Sequence, residues 1–424
     1  MSVTVPPGES FARDVRAEMD LSASGAGNRA RDWASLLSRL YVPVVTIVIV
    51  LVAGNWIASR SNFDPLTIAQ NSRIRFQSGV EQFSHIDGLT PAEAAAAGAV
   101  VRDGFKEGPG TNQLLFLGNS QTMAITDEKP GDLTTPQWMQ VLLLRQAGSG
   151  PASRVILGSI PNQSMAEFLV TLVAASQWPR HPVNTVIGSV TLREWRGMGI
   201  RDSLLSMAAA QPVRTALSSL IAANPDLPLA DAALDGSLKG GQTGAAAPIK
   251  QTVAARLEQR VQKAAADAIP LFKMRTYIYL RVHVYYMGLR NWLLGIHTAT
   301  PRPIPEATYQ ASLQLLELSI RYARSQNLNL ALYLAPVRPI QPNPTLPSDL
   351  AKFRKDAMGL CEKYTVSCLD YSDLVPEKLW ADYSAEDVAG EAGERDYAHF
   401  TGRAHKLVAQ KIMADVGSRL APAR

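Results

Sequence analysis

Two short motifs hold residues able to act on an acyl group. The first is Gly118-Asn119-Ser120-Gln121, directly after the apolar run Gln113–Leu117. A small residue followed by serine at a sharp strand exit exposes the hydroxyl and sets the serine's own backbone N–H beside it. That suits a nucleophile that also helps to hold an oxyanion. The second is Asp396-Tyr397-Ala398-His399, just ahead of a long amphipathic stretch. A D-x-x-H turn delivers a base and the carboxylate that orients it from one short element. Histidine takes the serine proton, and aspartate fixes the tautomer and supports the imidazolium. Each motif alone also fits plain helix capping, with Ser120, Asp396 or Thr401 as the N-cap.

The remaining candidates are poorer. His85, His181, His283 and His297 stand in isolation without metal-ligand spacing, and His405, off the helical face of His399, reads as solvent-exposed. The two cysteines, Cys361 and Cys368, make neither a C-x-x-C nor a Cys/His metal site. They are either a disulfide or two buried thiols. The glycines form no dinucleotide or phosphate-loop spacing, so neither a metal nor an organic cofactor is expected.

The elements that must position Ser120 and His399 follow from periodicity. Short apolar runs at Gln113–Leu117, Arg154–Ile160, Thr185–Val190, Leu328–Leu334 and Val366–Leu369 read as buried strands. Helical stretches alternate with them: Thr135–Ala147 with Thr135 as cap and Pro136 at the first position, Met165–Ser176, Glu306–Ser325, Leu350–Lys363 and Gly402–Arg419. Such alternation predicts an α/β fold built on a doubly wound parallel five-stranded sheet, whose site lies at the C-terminal ends of the strands.

The division expected along the chain is a disordered leader over 1–39, an apolar segment over 40–58 and a connection over 59–110. The two parts of the α/β domain are 111–202 and 301–424, separated by a loop and helical insertion over 203–300. Within the insertion, Ala222–Pro248 is rich in Ala, Gly, Asp and Pro and reads as a mobile loop, and Gln251–Ala268 as a helix. Ile269–Ile296 interleaves Tyr and Trp with Lys and Arg, as does a helix lying on a membrane or docked on a membrane partner; a plain helical cap fits equally.

Leu40–Ala58 is uncharged and just long enough for a single membrane-spanning helix, with Tyr41 and Trp56 near its ends. It follows too long a polar leader for a cleaved signal peptide. Flanking arginines are nearly balanced, so orientation rests on the leader looking unfolded and the folded part lying beyond the helix. The expected location is the bacterial inner membrane, single-pass, with the domain in the periplasm. Apolar residues make up 46% and charged residues 19%, which excludes wholesale disorder. The net charge of +5 is scattered, without a basic run, so no nucleic-acid partner is expected.

Strand-G-N-S near the start of the sheet and D-x-x-H before the final helix resemble the SGNH (GDSL-like) hydrolase superfamily. Within it the resemblance is to membrane-anchored members such as the D-alanyl transfer protein of teichoic acids and the alginate O-acetylation proteins. LYLAPVRP (Leu332–Pro339) and CLDYSDLVP add to it, and it spans Leu114–Ile412. It implies a sheet ordered 2-1-3-4-5, Ser120 as nucleophile, His399 as base and Asp396 as orienter. It also implies acyl transfer, most plausibly of acetyl, to an envelope or secreted glycan beside a polytopic membrane-bound O-acyltransferase. A glycan esterase and an inactive glycan- or partner-binding scaffold are the alternatives. Two oxyanion donors depart from the pattern. A glycine expected after the second strand is replaced by Ile160-Pro161-Asn162-Gln163, and no asparagine follows the third strand, where Thr191-Leu192-Arg193 stands. The oxyanion donors left are the Ser120 N–H and Asn162, with Thr191 or Arg193 in place of the absent asparagine; the alternative is an incomplete hole.

Overall fold

Five strands form one all-parallel sheet: β2 (Gln113–Leu117), β4 (Arg154–Leu157), β5 (Val183–Val190), β6 (Asn329–Leu334) and β7 (Ser367–Asp370), ordered β4-β2-β5-β6-β7. Numbered by their place in this sheet, that is the expected order 2-1-3-4-5. The structure is a computed structural model. It describes residues 74–77, 81, 86–100, 113–148, 153–177, 183–197, 199–234, 286, 289–291, 293–297, 299–382 and 395–420, with Val45 and Val52 in isolation. The chain divides into two units, and the first (Met1–Thr67 with Gln251–His283) holds almost none of these residues. Everything below concerns the second. The leader, the expected helix at Gln251–Ala268, and all of Leu40–Ala58 except Val45 and Val52 lie outside the described residues, as does most of Ile269–Ile296. No helix among the described residues is long and apolar enough to cross a membrane.

The strands read as continuous apolar runs because both faces of the sheet are covered. Leu115 and Leu117 point into one core with Phe168, Val186 and Leu332, while Leu114 and Phe116 point into the other with Leu157, Ile187 and Tyr333. On the first face lie helices α4 (Met165–Ser176), α5 (Asp202–Ala209), α6 (Gln211–Ala222), α7 (Glu306–Ser325) and α8 (Pro347–Tyr364). The second is covered by α1 (Pro91–Gly98), α3 (Thr135–Ala147) and α9 (Gly402–Leu420). Starts are set by side chains: Ser164 caps α4 and its backbone N–H donates to Glu167 in return. Thr134, one residue before the expected cap, starts α3 by donating its N–H to Gln137.

Three details differ from the sequence expectation. β4 ends at Leu157 rather than Ile160, although the N–H groups of Gly158 and Ile160 still donate to the carbonyls of Phe116 on β2 and Gly118 just past it. Residues 228–234, within the expected loop, form a helix that buries Ala230 and Leu234. A second, four-stranded sheet is present, ordered β1-β3-β9-β8, from β1 (Ile74–Phe76), β3 (Ala124–Thr126), β9 (Arg395–Phe400) and β8 (Trp380–Asp382). β3 and β9 run parallel, joined at Ile125 and Phe400, and β8 pairs with β9 antiparallel. The D-x-x-H motif therefore sits on a strand, with the last helix starting just beyond it.

Cys361 and Cys368 form a disulfide that ties the last turn of α8 to β7.

Candidate active site

The chain leaves β2 through Gly118. A Cβ there would come within 2.8 Å of both Ser189 on β5 and Thr122, so only glycine lets the backbone turn at this point. Asn119 caps the short helix α2 (Ser120–Met123), its side-chain oxygen accepting from the Gln121 N–H at 2.8 Å. Its amide nitrogen donates to the Thr191 hydroxyl at 2.9 Å, just past the end of β5. Gln121 donates to the Pro336 carbonyl beyond β6. Ser120 is thus held from both sides on the first residue of a helix, partly exposed, at the C-terminal edge of the sheet.

From α2 the chain runs straight into β3, and β3 pairs with the strand that holds the histidine. Asp396 is fully buried and its Oδ2 meets His399 Nδ1 at 2.8 Å. Oδ1 accepts from the N–H groups of Ala398 (2.7 Å) and His399 (3.0 Å), and the Thr126 hydroxyl donates to Oδ2 at 3.2 Å. Burial works to raise the Asp396 pKa, but the His399 ring and these N–H donors outweigh it and hold the carboxyl below its usual range. An ionised carboxylate only accepts, so Nδ1 carries the proton and Nε2 presents the lone pair that a general base needs.

Ser120, Asn162 and Thr191 line one cavity, and so do Tyr397 and Ala398, the neighbours of His399 on β9. His399 itself is buried. Asn162 is exposed and takes a left-handed backbone, φ 52°. Glycine adopts that conformation freely and asparagine tolerates it better than most residues, which accounts for an asparagine where the resemblance calls for glycine. Its loop is pinned by Arg201, which donates to the carbonyls of Pro161 and Asn162 and pairs with Glu167 on α4. Thr191 faces the cavity with its hydroxyl already engaged by Asn119.

Sequence reasoning missed Glu194. It stands in the single helical turn Leu192–Arg196 that follows β5 and lines the cavity with Ser120. Burial pushes its carboxyl up to about 8, against hydrogen bonds from Thr191 and Asn119 that favour the charged form. The available signal was a lone glutamate within four residues of a strand's C-terminal end. Three arginines also face the cavity: Arg193, Arg196 and Arg302. Arg196 donates to the Arg302 carbonyl at 2.6 Å, and its pKa is lowered by burial and then by the like charges of Arg193 and Arg302.

His405 is a correction. The ring is fully buried, with Nε2 against the Ala124 carbonyl (2.9 Å) and Nδ1 against the Thr135 N–H (3.0 Å), because the start of α9 packs between β3 and α3. Among the described residues no cluster of three or more His, Cys, Asp or Glu is placed to hold a metal ion. The chain matches no protein-family model and no curated protein, and its chemistry is to be read from this geometry.

Proposed function

We propose that this protein is a serine O-acyltransferase of the SGNH type, anchored in the inner membrane by Leu40–Ala58 with its α/β domain in the periplasm. The observation behind the reading is the convergence at one sheet edge. Ser120 at the exit of β2 shares a cavity with Asn162, Thr191 and the neighbours of a buried His399–Asp396 pair. In the first half-reaction the Ser120 hydroxyl oxygen bonds to an acyl carbon as its proton passes to His399. The departing group takes that proton, leaving an acyl-serine. In the second, His399 takes the proton of a sugar hydroxyl as its oxygen bonds to the acyl carbon, and returns it to Ser120 Oγ as the acyl–serine bond breaks. The Ser120 N–H and the backbone around Asn162 serve as oxyanion donors.

The acceptor is a cell-envelope or secreted glycan bearing negative charge. Three arginines line the cavity with the nucleophile, and the charges of Arg193 and Arg302 add to burial in lowering the Arg196 pKa; such a cluster suits a carboxylate or phosphate on the acceptor. The acyl group, an acetyl, reaches the site from a polytopic membrane-bound O-acyltransferase. The Cys361–Cys368 disulfide is consistent with an oxidising compartment.

The test is glycan acyl content in a deletion strain. It should fall on deletion, recover with the wild-type chain, and stay low with Ser120→Ala or His399→Ala. A rise on deletion would mark a hydrolase instead. Full recovery with Ser120→Ala would sink the reading.

A further inference from the structure

We propose that the Glu194 carboxyl group donates a hydrogen bond to the oxygen that turns negative when Ser120 adds to an acyl carbonyl. The inference rests on the reading of Ser120 as nucleophile and gives this site the donor that the missing asparagine after β5 would otherwise supply.

Position is the first argument. β5 is the neighbour of β2, so the turn after β5 faces the exit where Ser120 sits, and both residues line the same cavity. Contact is the second. The Glu194 backbone N–H donates to the Thr191 carbonyl at 3.3 Å, and the Thr191 hydroxyl accepts at 2.9 Å from Asn119, the residue immediately before the nucleophile. The turn that carries Glu194 is thereby tied to the residue next to Ser120.

The third argument is the proton. The charged and titratable groups around Glu194 are Arg193 and Arg196 on its own turn, Glu167 from α4, Tyr333 from β6, and Arg302 on the cavity wall. Arg193 favours the carboxylate, Glu167 opposes it and is itself paired with Arg201. Burial outweighs them all, and at neutral pH the group is a carboxylic acid. A neutral acid offers one O–H donor to a developing negative charge, whereas a carboxylate would repel it. The electron count is simple. As the Oγ–carbon bond forms, the carbonyl π pair moves to oxygen and the Ser120 proton moves to His399. On collapse the double bond returns and His399 protonates the departing oxygen. Glu194 keeps its own proton throughout.

The experiment is p-nitrophenyl acetate turnover by the full-length chain in detergent, from neutral to strongly alkaline pH. Wild type, Ser120→Ala, Glu194→Gln and Glu194→Ala are compared, with folding of each checked by thermal melting. Wild-type kcat/KM should fall as pH rises through about 8. Glu194→Gln, which keeps a neutral donor that does not titrate, should lose at most about tenfold at neutral pH and lack the alkaline fall. Glu194→Ala should lose about 10²–10³-fold. An alkaline fall that persists in Glu194→Gln, or a folded Glu194→Ala within a few-fold of wild type, overturns the inference while leaving Ser120 as nucleophile. A wild type no faster than Ser120→Ala at every pH overturns the nucleophile reading, and the inference with it.

Discussion

The buried ring of His405 bridges α3 and β3, donating from Nε2 to Ala124 while Nδ1 accepts from the Thr135 N–H and hydroxyl. Burial pushes its pKa down to about 3 from the ordinary 6.5. Only the neutral ring fits, so its contribution to stability is complete above the unfolded value and is lost as pH falls from 6.5 towards 3. His405→Ala should cost about 1–3 kcal/mol for each backbone group left unpaired. Thermal melts across that acid range should show a shallower pH dependence in the variant than in wild type. Glu194 works in the opposite direction: its raised pKa removes stability as pH climbs from 4.5 to about 8. His399 and Asp396 were legible in the sequence because they stand three residues apart, a spacing that chemistry explains. His405 and Glu194 were not: the first is unusual through its burial between β3 and α3, and the second through the cavity it shares with Ser120, and both depend on elements distant in the chain.

At the level of elements, β2, β5 and β6 were readable because each is buried on both faces, and α3, α4 and α7 because they alternate with strands; α5 and α6, in the expected insertion, were not. β1, β3 and β8 have three residues apiece, too few for any period to register, and β9 reads R-D-Y-A-H-F, more like a loop than a strand. The second sheet was therefore invisible, although it positions the histidine. The disulfide was left open by spacing alone, and it is the fold that brings the cysteines to 6.0 Å between Cα atoms. The bridge closes a short loop, with a sequence separation of 7. Its loss in Cys361→Ser/Cys368→Ser should lower unfolding free energy by about 2–3 kcal/mol by the chain-entropy estimate, measured by urea denaturation.

Across the whole molecule the net charge is only +5, so the gathering of Arg193, Arg196 and Arg302 at the cavity lined by Ser120 concentrates positive potential there, which on the proposed reading is where a substrate enters. Replacing Arg193 and Arg302 with alanine should raise KM for an acidic oligosaccharide acceptor by about fivefold per charge, with little effect on p-nitrophenyl acetate. Added salt should narrow the difference. The junction of β3 with β9 has a consequence of another kind. Ser120 belongs to the first strand-helix unit of the parallel sheet, whereas its base arrives on β9 after every strand of that sheet has been made. A single register point, Ile125 against Phe400, and the hydrogen bond from Thr126 to Asp396 join the two. A chain still being synthesised or threaded across a membrane has its serine early and its histidine late. On the acyl-transfer reading proposed above, the protein is inert until the closing strand docks, and an unfinished copy has no means of consuming acyl groups.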